Sequence, residues 1–298
     1  MTNNTLFLFP NPEFDQRKHH GISKLYRIFC LKYGYNLKIV DLDFLSRYIP
    51  NKDYSQTLII AGGDGTIHKV INTIPDEAFK KYVFGIIPSG TANEFAKSLS
   101  IPLSISKSAC MIANPKKLYY QHIGIINGKY KFATGIMYGI ASKILQYTPR
   151  IAKHYLGGAA FQFGFLRVYV EYLRPWSGFI KKFKIDSKEF RTNYLLINNA
   201  SLKSKDLTVE DIDGENRNLF SIIYIHSRLK FLDILRVMFK HHMHYRILYD
   251  NALNYVQLPE VSLQFEGELE FMLDGDMYIY SSPLIIKYFD RPMAVISG

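Results

Sequence analysis

Three glycines in four positions, Gly62-Gly63-Asp64-Gly65, leave this chain few ways to fold. The residues before them, Leu58-Ile59-Ile60-Ala61, make an apolar run of buried-strand length. The residues after them, Ile67, Val70, Ile71 and Ile74, recur at helical spacing and open an amphipathic helix. A strand that turns through glycines into a helix aims backbone N–H groups outward where the helix dipole is positive. That arrangement suits phosphate. Asp64 sits inside the turn, where phosphate would repel it unless it holds Mg2+ or accepts a hydrogen bond.

A second element repeats the design. Val83-Phe84-Gly85-Ile86-Ile87 reads as a strand, Pro88-Ser89-Gly90-Thr91-Ala92 as a turn, and Asn93 to Leu99 as a helix. Two such turns on neighbouring parallel strands would face one another at the carboxyl edge of a sheet, where open α/β sheets bind ligands.

At these residues the chain resembles the bacterial diacylglycerol kinase-like lipid kinases, relatives of sphingosine kinases and NAD kinases. The resemblance rests on Gly62-Gly63-Asp64-Gly65-Thr66, on Pro88 to Ala96, and on the later Asp274-Gly275-Asp276. It implies an ATP- and Mg2+-dependent phosphotransferase acting on a lipid alcohol, with diacylglycerol the default and phosphatidylglycerol or a sphingoid base as variants. Phospholipid biosynthesis is the implied setting. Two other readings stay open: an NAD kinase, or a lipid- or nucleotide-binding regulatory protein with little catalysis.

The rest of the chain divides into two patterns. Thr5–Phe9 reads as strand one, ended by Pro10-Asn11-Pro12, and a helix is expected over 16–33 with Gly34 as its C-cap. Strand–helix alternation then continues to a helix over Ser104–Ala113, which predicts a doubly wound, mostly parallel sheet. From Leu118 the chain reads as many short strands with glycine turns, including Leu118–Ile126 and Lys129–Met137 as single strands, and predicts an antiparallel β-sandwich. The expected domains are 1–117 for nucleotide and 118–298 for lipid substrate, with the last segment packing back on the first domain. The resemblance implies the same two-domain plan, with the site in the cleft.

Site roles follow from the resemblance. Backbone amides of Gly62, Gly63, Gly65 and Gly90, with Thr66, Thr91, Asn11 and Asn93, are expected to bind nucleotide. Asp64 would hold Mg2+ or position the nucleotide, and Asp276 would be the general base. Asn11-Pro12 matches the family pattern, whereas Glu13 follows where a Ser-Gly is usual, and Asp276 replaces the usual Glu. From the residues alone, Asp274-Gly275 is also an ordinary hairpin turn. Glu94 is read equally as a metal neighbour and as a favourable first-turn carboxylate. Asp213, in a stretch with Asp211 and Gly214, is a candidate second metal ligand beside the plainer reading of a turn.

Composition sets the outer bounds. The chain has 298 residues, 48% of them apolar, so a sizeable core is expected. Lys and Arg total 37 against 26 Asp and Glu, a net charge of +11 that favours anionic partners. Basic residues gather over 226–246 and again over 150–184, where aromatics from Phe161 to Trp176 interleave with them. This suits a peripheral contact with an anionic membrane, although aromatics at helical spacing are more often core. His241-His242-Met243-His244 reads as a solvated face and not a metal site. No nucleic-acid motif accompanies the charge. Cys30 and Cys110 make no disulfide framework, and the first residues lack the pattern of a signal peptide. The expectation is a cytoplasmic protein, peripheral at the inner membrane face, with a homodimer left open.

Overall fold

The computed structural model describes residues 5–17, 20–51, 55–149, 161–172, 180–199, 219–225 and 253–297. The chain forms two compact units. The first contains the chain up to Ile123, Tyr130–Ala133 and everything from Phe289 on. The second contains Gly124–Lys129 and Thr134–Tyr288. Strands are numbered β1 to β18 along the described residues.

In the first unit, β1 (Thr5–Pro10), β2 (Asn36–Ile39), β3 (Gln56–Gly62), β4 (Tyr82–Pro88), β5 (Lys117–Gln121) and β18 (Met293–Ser297) form one sheet. Its order is β2-β1-β3-β4-β18-β5. All neighbours are parallel except β5, which runs antiparallel to β18. Apolar alternation explains why both faces are covered. Leu6, Leu8, Ile59 and Ala61 pack on Phe14, Leu25 and Phe29 and on Ile112 of the Ile105–Ala113 helix. Phe7 points the other way, edge-on to Phe44 at 5.3 Å and Tyr48 at 5.2 Å. Each fully buried side chain of this size contributes roughly 1.5–3 kcal/mol.

The helix expected over 16–33 is broken. Phe14–Arg17 is one short helix and Gly21–Tyr26 another, continuing with π pitch over Arg27–Lys32. His20, at φ 61, separates the two, and Asp15 Oδ1 accepts a hydrogen bond from the Ile22 amide at 2.9 Å. The cap at Gly34 is as expected: its φ is +72, and its N–H donates to Cys30 O at 3.1 Å.

The stretch Leu118–Ile126 is likewise two strands, β5 in the first unit and β6 (Gly124–Ile126) in the second. Lys129–Met137 divides into β7 (Tyr130–Phe132) of the first unit and β8 (Gly135–Gly139) of the second. Asn72 anchors the short insertion. Its Nδ2 donates to Lys131 O and its Oδ1 accepts from Lys131 N, both at 2.8 Å, so one side chain imitates a strand pairing. Lys131 then pairs with Asp76 at 2.6 Å, and its ammonium lies 4.9 Å from the Phe289 ring centre.

The second unit is antiparallel. One sheet runs β10-β9-β14-β17-β6, formed by β9 (Lys181–Ile185), β10 (Lys188–Thr192), β14 (Val261–Phe265) and β17 (Leu284–Tyr288) with β6. The other runs β13-β12-β11-β8-β15-β16, formed by β11 (Tyr194–Asn199), β12 (Phe220–Ile225), β13 (Leu253–Leu258), β15 (Glu268–Leu273) and β16 (Asp276–Ser281) with β8. Aromatic rings join the two layers. Phe190 stacks on Tyr224 at 4.0 Å, Phe220 on Tyr288 at 4.3 Å, and Tyr138 meets Phe183 edge-on at 5.0 Å. An α/β sheet followed by antiparallel layers is the expected fold class.

Candidate active site

The strand order places a topological switch point between β1 and β3, because the chain leaves β1 for β2 on one side and returns to β3 on the other. Ligands of open α/β sheets bind beyond the carboxyl ends of the strands at such a point. Asn11 follows β1 there. Its backbone N–H donates to Ala61 O at 2.8 Å, and its Nδ2 donates to Thr66 Oγ1 at 3.0 Å. Two predicted nucleotide residues, 55 positions apart in sequence, are thus bridged across the switch point.

The Asp64–Thr73 helix begins immediately after β3, with Gly63 as its N-cap and no side-chain cap. A glycine cap leaves the helix end open to an incoming anion. The turn after β4 packs directly on this one. Ser89 N–H donates to Gly62 O at 3.0 Å. A Cβ at Gly63 would stand 2.9 Å from Gly90 Cα, and one at Gly90 would stand 2.6 Å from Gly63 Cα. Neither position can carry a side chain, and backbone therefore meets backbone.

Two polar side chains lock the turns together. Asn93, held at φ 52, accepts from Gly90 N–H through Oδ1 at 2.9 Å and donates to Gly90 O through Nδ2 at 2.8 Å. Asp64 accepts the Glu94 amide through Oδ2 at 3.1 Å and the Phe95 amide through Oδ1 at 3.0 Å. A carboxylate from the first turn thereby caps the Glu94–Ser98 helix beyond the second. Glu94 pairs with Lys97 at 2.9 Å on an exposed surface, the arrangement of a first-turn carboxylate. Thr66 and Asn93 are buried, while Thr91 is exposed. The cross-links Asp64–Glu94 and Asn11–Thr66 were missed from sequence. No local pattern signals them, because each partner lies 30 or more positions away.

Asp274 and Gly275 form the turn between β15 and β16, at φ 48 and φ 101. Asp274 Oδ1 accepts from Thr134 N at 2.7 Å, Thr134 Oγ1 at 2.6 Å and Gly135 N at 3.1 Å. Asp276 opens β16 and is partly exposed. Among the described residues its carboxylate forms no side-chain hydrogen bond or ion pair. Asp276 belongs to the second unit; Asp64, Asn93 and the glycine turns belong to the first. Asp213 and the histidine cluster at 241–244 lie outside the described residues. Among the described residues no group of three His, Cys, Asp or Glu side chains gathers to hold a metal.

Residues 7–120 match the diacylglycerol kinase catalytic domain. This kinase-like segment contains both glycine turns and the Asn11 loop, so the resemblance read from the motifs stands. Over 107 residues the chain is 36% identical to a "Probable lipid kinase YegS-like" of Enterobacter sp. (strain 638), covering 36% of each chain. Over 109 residues it is 36% identical to a protein of the same name from Yersinia enterocolitica, again 36% of each. The match therefore spans about a third of the length of these relatives. Among solved structures, a "putative diacylglycerol kinase" from Bacillus anthracis str. Sterne superposes with a TM-score of 0.71 at 18% identity, over 100% of this chain and 97% of the other. An NAD kinase from Archaeoglobus fulgidus in complex with ATP gives 0.52 at 8% identity, over 98% and 93%. At these identities the likeness to the solved structures is one of fold.

Proposed function

We propose that the protein is an ATP- and Mg2+-dependent lipid kinase that phosphorylates the hydroxyl of a lipid alcohol, with diacylglycerol as the default acceptor. The observation that carries this reading is the pair of interlocked glycine turns at the switch point of a parallel sheet. The site fits a polyphosphate: two turns too tight for any Cβ present backbone beside an open helix N-terminus. It also fits Mg2+ in the form kinases use, one or two carboxylates completed by phosphate oxygens and water. Asp64, the first residue of the helix after Gly63, would be the carboxylate that meets the metal, with Glu94, whose backbone amide it accepts, as the second candidate. When bound, the metal would offset charge on the transferring phosphoryl group.

The chain's own residues supply the rest. Amides of Gly62, Gly63 and Gly65 orient the phosphates, while Gly90, whose N–H is taken by Asn93 Oδ1, brings the backbone of the second turn against the first; Thr66 and Asn11 fix the wall between β1 and β3, and Thr91 and Asn93 the second turn. Asp276 takes the proton from the attacking hydroxyl. Its carboxylate has no competing side-chain partner among the described residues, as a base that must meet a substrate requires.

An anionic membrane surface is the proposed partner that presents the lipid. The Phe161–Tyr172 helix supports this. Gly164 and Val168 face inward, whereas Phe163, Leu166 and Val170 are 55%, 62% and 51% exposed. These three follow helical spacing and form one outward apolar stripe. No helix among the described residues is long and apolar enough to cross a membrane.

Labelled ATP, Mg2+ and mixed micelles of different lipid alcohols, with NAD as a control acceptor, test the reading. Transfer to a lipid alcohol is expected. Transfer to NAD alone, or to no acceptor, would overturn it.

A further inference from the structure

Asp276 stands at the start of an edge strand. β16 is last in the order of its sheet and pairs with β15 alone, its first residue opposite Leu273. Only Asp274 and Gly275 separate the two strands, both at positive φ, as the mirror-image turn favoured by Asp-Gly requires. The end of a strand paired on one side only opens easily. A general base, however, must keep its carboxylate within roughly 0.5 Å of the productive position. Whatever restrains this end of the hairpin therefore bears on the chemistry.

The restraint comes from β8. Asp274 N–H donates to Gly135 O at 3.2 Å, and Asp274 Oδ1 accepts from Gly135 N at 3.1 Å, Thr134 N at 2.7 Å and Thr134 Oγ1 at 2.6 Å. Of these bonds, the one from Thr134 Oγ1 alone uses a side-chain donor, and its length is that of a charge-assisted O–H···O⁻ bond. Asp274 is buried, so protein donors must meet its charge. The anchor is itself firmly held. β8 lies inside its sheet between β11 and β15, and Thr134 O accepts from Asn199 N at 2.9 Å. Gly135 sits opposite Asn198 of β11, where a Cβ would stand 2.8 Å from Ile197 O.

We propose that Thr134 is a positioning residue for phosphoryl transfer: its hydroxyl, acting through the Asp274 carboxylate, fixes the turn that presents Asp276 to the acceptor hydroxyl. The role rests on the kinase reading and on Asp276 as the base. Thr134 lies outside both glycine turns and 140 positions from Asp274 in sequence. It is also the residue at which the chain re-enters the second unit, so the turn that carries the base is tied to that connection.

Steady-state kinetics of the full chain with ATP, Mg2+ and lipid-alcohol micelles tests this. Thr134→Val keeps the backbone donor and the side-chain shape but removes the hydroxyl. Its kcat should fall roughly ten- to a hundredfold, the effect of a base displaced by about 1 Å. The KM for ATP should stay within about twofold, because the glycine turns are untouched. Thr134→Ser restores the donor and should return kcat to within about threefold of the parent. Thr134→Val combined with Asp276→Ala should be no slower than Asp276→Ala alone, since a residue that acts through the base has nothing left to position. Unchanged kcat in Thr134→Val, no rescue by serine, or multiplied losses in the double variant would each overturn the role while leaving the kinase reading intact. A parent protein that transfers phosphate to no lipid alcohol would overturn both.

Discussion

Two carboxylates in one hairpin invite the same substitution and should answer it differently. Asp274 Oδ1 accepts three hydrogen bonds from Thr134 and Gly135 and is buried. Asp274→Ala strands those donors, and chemical denaturation should report a loss of about 3 kcal/mol. Asp276→Ala removes a partly exposed side chain and should stay within about 0.5 kcal/mol of the parent. If Asp276 is the base, phosphoryl transfer should nonetheless fall by roughly 10²–10⁴-fold. Full activity in Asp276→Ala would remove that assignment. Gly90→Ala adds a Cβ 2.6 Å from Gly63 Cα, so the turns must part, and ATP binding measured by calorimetry should disappear. His122, between β5 and Ile123, has its pKa lowered by burial. The unfolded chain then binds the proton more readily than the folded one. Stability is full above the ordinary histidine pKa and declines as pH falls below it. Melting temperatures at pH 7.5 and 5.5 should differ less in His122→Gln than in the parent.

Among the elements, the strands that carry the glycine turns were legible because β3 and β4 are continuous apolar runs, as buried parallel strands must be. The expected Gly62–Gly65 turn is tighter than read: Gly62 ends β3, Gly63 alone makes the junction, and Asp64 and Gly65 already belong to the helix. Local pattern could not supply the decision to change unit. Leu118–Ile126 and Lys129–Met137 each read as one strand, since the apolar character continues through Ile123 and Ala133, where the chain passes from one unit to the other. The break at His20 was hidden because Gln16-Arg17-Lys18-His19 carries neither an apolar stripe nor a Pro that would mark an interruption. On the Phe161–Tyr172 helix, Phe163 is exposed where an aromatic at helical spacing is more often core. The helix packs on the Ile140–Tyr147 helix, where Arg167 lies over the Tyr147 ring at 4.3 Å and the Tyr147 hydroxyl donates to Glu171 at 2.9 Å. The paired substitution Phe163→Ser and Leu166→Ser should therefore leave the fold intact and reduce sedimentation with anionic vesicles by several-fold. Unchanged sedimentation would release this face from the membrane role.

On the scale of the whole molecule, the sheet of the first unit is assembled from both ends of the chain. β18 lies between β4 and β5, pairing Ala294 and Val295 with Val83 and Phe84 on one side and Met293–Ser297 with Lys117–Gln121 on the other. Met293 and Val295 are fully buried there. While a ribosome is still synthesising the second unit, this slot has no occupant and the edges of β4 and β5 stay unpaired. The sandwich should thus mature ahead of the sheet that precedes it in sequence. Pulse-labelled hydrogen exchange during refolding should find amides of β11 and β12 protected before those of β4. The first unit would acquire its final form only once β18 has left the exit tunnel, so a chain cut short within the second unit would lack the strand that completes the sheet behind both glycine turns.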